Sequence, residues 1–266
     1  MLTFRFLLMT STIPLLTALG TVGCVPSNPS EAAPGTTSTK PAKPPKPRSK
    51  TPETKPSSTR TAKTPRPRPG PMITTVFEDT FDRPDIGADW YRLGNAWKIK
   101  DGKLCGQGAR NKGVWLRRRL PVNARIEFEA TSDSPDGDIK AELWGDGASG
   151  ATSSSYTNAT SYLTIFGGWK NTFHVLARID EHAKDRLELR IDPNSTEERT
   201  QPVVPGRVYA FRIEREDGKT ISWSVDGHLI HQLEDPEPLA GKGHEHFGFN
   251  DWDVPVCFDN VRITPL

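Results

Sequence analysis

From residue 73 onward the chain runs in short stretches of alternating apolar and polar positions, separated by Gly, Asp, Asn and Pro. Alternation with period 2 is the mark of a half-buried strand. The stretches fall at residues 76–81, 96–100, 103–106, 114–118, 124–130, 139–144, 162–166, 173–179, 186–191, 208–214, 221–225 and 228–233, with two more inside 244–263. Asp101-Gly102 and Asp226-Gly227 each stand between two of them, a strong hairpin signal. With no long amphipathic helix and no internal repeat, this density of strands predicts an all-β domain over residues 73–266, a sandwich or a barrel.

The faces of three strands are readable in the same way. In 138–145, Ile139, Ala141 and Leu143 alternate with Lys140, Glu142 and Trp144. In 173–180, Phe173, Val175, Ala177 and Ile179 alternate with His174, Leu176, Arg178 and Asp180, and Phe247 and Phe249 alternate with His246, Gly248 and Asn250. One face of each is then core. The other is expected to carry Glu142, Trp144, His174, Arg178, His246 and Asn250, a richer set than an ordinary solvated face of Lys, Thr and Ser. Trp223 reads as core and Trp97 as half-buried in its hairpin. Trp169, after two glycines, and Trp252, between Asp251 and Asp253, sit in no apolar pattern. An indole beside carboxylates and amides suits a sugar ring, covering its C–H face while polar neighbours bind hydroxyls.

The first 72 residues are of another kind. Residues 1–23 hold one early charge, Arg5, an apolar run broken by Thr, Ser and Pro, and then small residues, the layout of a secretory signal. Thr21-Val-Gly-Cys24 resembles the bacterial lipobox, although Thr21 stands where that motif usually has Leu. The resemblance implies that Cys24 is lipid-modified and tethers the protein to a membrane of the cell envelope, each buried CH2 contributing about 0.8 kcal/mol. Residues 24–72 are rich in Pro, Thr, Ser and Lys, with 13 prolines between positions 25 and 72. Such a segment cannot bury enough apolar surface to offset its chain entropy, and is expected to be a disordered spacer.

Charge divides the same way. Residues 25–72 carry ten Lys or Arg against two Glu, whereas 73–266 carry 24 Lys or Arg against 31 Asp or Glu. The basic spacer is expected either to be simply solvated or to be drawn to an anionic envelope polymer. The acidic domain argues against nucleic acid, which needs a basic face.

Val76-Phe-Glu-Asp-Thr-Phe-Asp-Arg83, Trp97-Lys-Ile-Lys-Asp-Gly-Lys-Leu104, Ser224-Val-Asp-Gly227 and Phe258-Asp-Asn-Val-Arg-Ile263 resemble the concanavalin A-like superfamily, above all its laminin-G-like bacterial members. The resemblance implies a jelly-roll β-sandwich of two antiparallel sheets, one of them concave and often carbohydrate-binding. It also implies possible structural calcium at the rim, with Asp259 in the last strand and Glu78 or Asp79 in the first. It brings N- and C-terminal strands together, so that Cys105 and Cys257 either pair or stay as two buried thiols.

The glycosidases of that superfamily carry a Glu-x-Asp-x-Glu strand motif, or a version one residue longer. It is not found here: Glu127-Phe-Glu129 lacks the Asp and Lys140-Ala-Glu142 has one carboxylate. No Gly-x-Ser-x-Gly elbow is present, and the glycines of 106–113 open no helix. His244 and His246 share a strand face without an identifiable third zinc ligand. The leading expectation is an envelope-tethered lipoprotein with a carbohydrate-binding jelly-roll domain, its ligand set Glu142, Trp144, Trp169, His174, Arg178, His246, Asn250, Asp251 and Trp252. The alternatives are a polysaccharide- or glycoside-degrading hydrolase or lyase, with His174 or His246 as base, and a structural cell-wall-associated lipoprotein.

Overall fold

A computed structural model describes residues 68–266. The signal, Cys24 and nearly all of the Pro-rich segment lie outside the described residues. In chain order the strands are β1 (Phe77–Asp79), β2 (Trp90–Arg92), β3 (Lys98–Lys100), β4 (Lys103–Gly106), β5 (Val114–Leu116), β6 (Ala124–Ser132), β7 (Ile139–Gly145) and β8 (Tyr162–Gly167). They continue with β9 (Phe173–Arg178), β10 (Leu187–Arg190), β11 (Val208–Arg215), β12 (Thr220–Val225), β13 (His228–Glu234), β14 (His246–Asn250) and β15 (Val256–Pro265). Only β2 had no counterpart in the alternation pattern, because Trp90-Tyr-Arg92 is too short to show a period.

The strands form two antiparallel sheets, the all-β sandwich that the resemblance implied. The first runs β13-β12-β11-β6-β15-β4-β3, with β1 beside the second half of β15; the second runs β10-β9-β8-β7-β14-β5-β2. The inner face of the first sheet follows strict alternation. Ile126, Phe128 and Ala130 of β6 point inward while Arg125, Glu127 and Glu129 point out, and Tyr209, Phe211 and Ile213 of β11 do the same. In β15 the parity breaks once. Asn260 adopts φ 51° and the register shifts between Asp259 and Arg262, so both Phe258 and Val261 reach the core. The two sheets meet on aromatic rings: Phe128 stacks on Phe211 at 4.7 Å, Phe249 on Phe258 at 3.9 Å and Trp90 on Phe249 at 5.7 Å. Trp223 is core as expected, but Trp97 is fully buried rather than half-buried, its Nε1 donating to the Lys112 carbonyl at 2.8 Å.

Cys105 and Cys257 face each other across β4 and β15 and are joined in a disulfide, their Cα atoms 4.1 Å apart. The bond closes a loop with a sequence separation of 152 residues. In the chain-entropy account a loop of that length stabilises the fold by about 5 kcal/mol. A chain carrying Cys24→Ser, unfolded without reductant, should titrate no free thiol, and two after reduction. Two free thiols before reduction would remove the bond from the native protein.

Candidate functional site

The central strands of the second sheet are covered on both faces: every residue of β7, β8 and β14 is buried. One face meets the first sheet. A strap, residues 146–161, lies over the other. Its Ser149 carbonyl accepts the Trp115 indole N–H at 3.0 Å, and its Ala151 N–H donates to the Asn111 carbonyl at 2.8 Å. Tyr156 and Ala159 pack on Leu163, Ile165, Val175 and Ala177 in a second apolar cluster. Gly145 and Gly248 lie under the Trp115 ring, which a Cβ would approach to 2.5 and 2.9 Å; only glycine admits so close a ring.

Polar side chains trapped under the strap satisfy one another. Glu142 accepts hydrogen bonds from the Tyr156 hydroxyl (2.9 Å), the Ser161 hydroxyl (2.7 Å) and the Asn250 amide (2.6 Å). Burial drives its carboxyl up to about 7, against the opposing effect of those donors. Two residues earlier on the same face, the Lys140 ammonium donates to Glu181 Oε2 and to Asn111 Oδ1, both at 2.9 Å. Asp251, wholly buried, accepts from the backbone N–H groups of Ala109 (2.9 Å) and Val254 (3.0 Å), yet desolvation still lifts its carboxyl to about 6.

This network underlies the floor of a cleft of about 380 Å³. Asp138 lines it from just before β7 and Lys140 from β7, Glu181 and His182 from the segment after β9, and Asp253 from the segment after β14. Trp169 and Trp252 line it as well. Trp252 is placed by the 109–111 turn, whose Arg110 N–H donates to the Trp252 carbonyl at 2.9 Å, and by its own N–H, which donates to the Asp138 carboxylate. Trp169 sits in the single turn Gly168–Asn171, which is left-handed: Trp169, Lys170 and Asn171 have φ of 51°, 58° and 59°. Each non-glycine residue so placed costs roughly 1–2 kcal/mol. Asn171 holds the turn in place, donating to the Val203 carbonyl (2.8 Å) and accepting from the Val203 N–H (2.9 Å). A guanidinium rests on each indole, Arg186 at 4.2 Å from Trp169 and Arg110 at 4.6 Å from Trp252.

The structure therefore brings together part of the expected set. Trp169 and Trp252 line the cleft, with Glu142, Asn250 and Asp251 in the buried layer around it. His246 shares the strap side of the sheet but lies at the far end of β14, its Nδ1 2.9 Å from the Leu116 carbonyl oxygen. Three residues are elsewhere. Trp144 does not share a face with Glu142: its φ of 51° and the register shift opposite His246–Gly248 turn it into the inter-sheet core, where Arg215 covers its ring at 3.9 Å. In β9 the parity is the reverse of that expected, since the strap makes Val175 and Ala177 apolar on the outer side. His174 accordingly points between the sheets, stacked on Phe166 at 4.1 Å, with Gly167 N–H donating to Nδ1 at 3.0 Å. Burial lowers its pKa to about 4, which leaves it neutral and enclosed, unsuited to act as a base. Arg178 points the same way and binds Asp235 at 2.8 Å at the edge of the sandwich.

The rim residues do not fit calcium. Both oxygens of Asp79 are taken by Arg83, Trp90 and the Phe81 N–H; Glu78 pairs with Arg262; and Asp259 lies 3.8 Å from Lys103. No group of three or more His, Cys, Asp or Glu side chains is suited to a metal among the described residues. Asp138, Lys140, Asn111, Tyr156 and Glu181 were not in the expected ligand set, although Lys140 was placed on one face with Glu142. A signal for the first two was present: Asp138-x-Lys140-x-Glu142 has the period of one strand face.

No known family matches the sequence, and no curated protein matches it. Among solved structures, the chain is similar to a carbohydrate-binding module, CBM66, from Bacillus subtilis, with 15% identity over 65% of this chain and 94% of that one, TM-score 0.48. It is similar to a prokaryotic β-1,3-1,4-glucanase (lichenase) derived from a mouse hindgut metagenome, with 13% identity over 72% and 100%, TM-score 0.48. An alginate lyase in complex with alginate trisaccharide shows 10% identity over 73% and 99%, TM-score 0.46.

Two outcomes test this geometry. Glu142 has a folded pKa above its unfolded value, so it contributes stability that is complete at low pH and is lost as pH rises from about 4.5 to about 7. Glu142→Gln should flatten that part of the curve of melting temperature against pH, by an amount of the order of 3 kcal/mol across the window. An unchanged curve would mean that Glu142 is already ionised in the fold. Lys170→Gly should raise stability by about 1 kcal/mol in denaturant unfolding, because glycine adopts the left-handed conformation without strain.

Proposed function

We propose that the β-sandwich binds carbohydrate in the cleft between Trp169 and Trp252, and that a lipid on Cys24 holds it to a cell envelope through the Pro-rich spacer. The observation that carries the reading is the placement of Trp169. Three consecutive non-glycine residues are held left-handed to present one indole at a polar cleft, and strain of this kind is retained where a residue's position has a use. A cleft with two indoles and carboxylate, hydroxyl and ammonium groups offers what a pyranose ring needs: apolar faces for C–H groups and fixed partners for hydroxyls.

The alternative of a glycan-degrading enzyme has less support. Asp138 and Glu142 stand on one side of β7, as an acid and a nucleophile would, but Lys140 lies between them and Glu142 is sealed beneath Tyr156 and Ser161. A carboxylate with no access to the cleft cannot reach a glycosidic bond.

A glycan array and product analysis on the Cys24→Ser chain test the reading. Retention without turnover is expected, and Trp169→Ala and Trp252→Ala should each weaken it by about tenfold or more, or about 1.4 kcal/mol. Turnover would favour the enzyme, and neither retention nor turnover would favour a structural role. Metabolic labelling with a fatty-acid analogue should mark the wild-type chain and not Cys24→Ser, which should appear in the soluble fraction.

A further inference from the structure

We infer that the glycan taken by this cleft carries protonated amino groups: an amino-sugar polymer, in preference to a neutral or acidic one. The inference rests on the carbohydrate reading above and specifies its ligand. It follows from how charge is distributed around the two indoles. Three of the cations nearest them already have partners. Lys140 is buried between Glu181 and Asn111, Arg110 pairs with Asp253 at 2.9 Å, and Arg186 pairs with Glu188. Among these groups none is left to receive a sugar carboxylate; Lys170 stands exposed at the rim.

Two carboxylates on the same wall are differently placed. Asp136 is exposed and Asp138 half-buried, and both line the cleft; Asp136 is in no ion pair among the described residues, while Asp138 accepts the Trp252 N–H and feels Lys140 below it. Burial is the main cause of the raised carboxyls of Asp138 and Asp251 and Lys140 opposes it, but Asp138 adds to the shift of Asp251, and Glu181 and Asp136 add to that of Asp138 itself. A bound ammonium relieves this repulsion, whereas a uronate adds to it. Indole faces attract the same charge through the ring quadrupole. Carboxylates and paired indoles around a concave cleft thus select an ammonium on a sugar ring, with the indoles taking the ring and Asp136 and Asp138 the amine.

Calorimetric titration of the Cys24→Ser chain with three β-1,4-linked hexamers, of glucosamine, N-acetylglucosamine and glucose, tests this, with spermine as a cation lacking a sugar. At low salt the glucosamine hexamer should bind at least about tenfold tighter than the glucose hexamer. That excess should fade as salt screens the charges, and should be lost in Asp138→Asn and in Asp136→Asn, in the latter with neutral-sugar affinity staying within about twofold. Asp136 is exposed, so its variant keeps the test independent of folding. Equal binding of the acetylated or glucose hexamer, or a preference that survives both substitutions, overturns the amino-sugar inference and leaves the carbohydrate reading standing. Spermine binding as tightly as the glucosamine hexamer overturns it too, since charge alone would then suffice. If no hexamer binds and the glycan array is blank, the carbohydrate reading itself fails.

Discussion

The structure depends on one constraint: the central strands of its second sheet, β7, β8 and β14, have no solvated face. A sheet in a sandwich ordinarily buries one side and leaves the other to water, where polar side chains need no protein partner. Here the 146–161 strap closes the second side, and every donor and acceptor beneath it must be satisfied from within. Glu142 answers for Tyr156, Ser161 and Asn250, and Lys140 for Asn111 and Glu181. The strap is fastened to the sheet by the same bonds that satisfy the sheet's buried groups. The cleft opens where this cover ends, so its floor is a rigid, mutually bonded layer.

The first sheet was readable in the sequence because it obeys the usual rule. Alternation in β6, β11 and β12 reports an inside and an outside, and the structure follows it residue by residue. The second sheet was harder to read because both its faces are inside. In β9 the sequence His-Val-Leu-Ala carries apolar residues at both parities, and choosing between them requires knowing that a strap covers Val175 and Ala177. Trp144 was lost to a different cause, a one-residue bulge that no periodicity reveals. Trp169 and Trp252 were legible because they stood outside any alternation. The partners that make the cleft polar, Glu181 and Asn111, come from loops whose approach is fixed only in three dimensions.

The left-handed turn at Trp169 and the network under the strap contribute differently to the site. The network gains stability from being fully bonded, while the turn loses stability and is held by its surroundings, chiefly Asn171 on Val203. One supplies a fixed floor and the other an aimed side chain. A cleft that combines them has its side chains ordered before any ligand arrives.

The position of β15 bears on how the molecule comes to exist. This strand is made after all the others, yet it lies in the middle of the first sheet, with β6 on one side and β4 and β1 on the other. Until residues 256–265 have left the ribosome, the two halves of that sheet have no edge in common and the disulfide has only one of its sulfurs. The chain therefore gathers its sandwich late and in one cooperative event, with contacts of long sequence separation that form slowly. For as long as β15 is missing, β6 and β4 present unpaired edges to each other's side of the sheet and the bond to Cys105 cannot form.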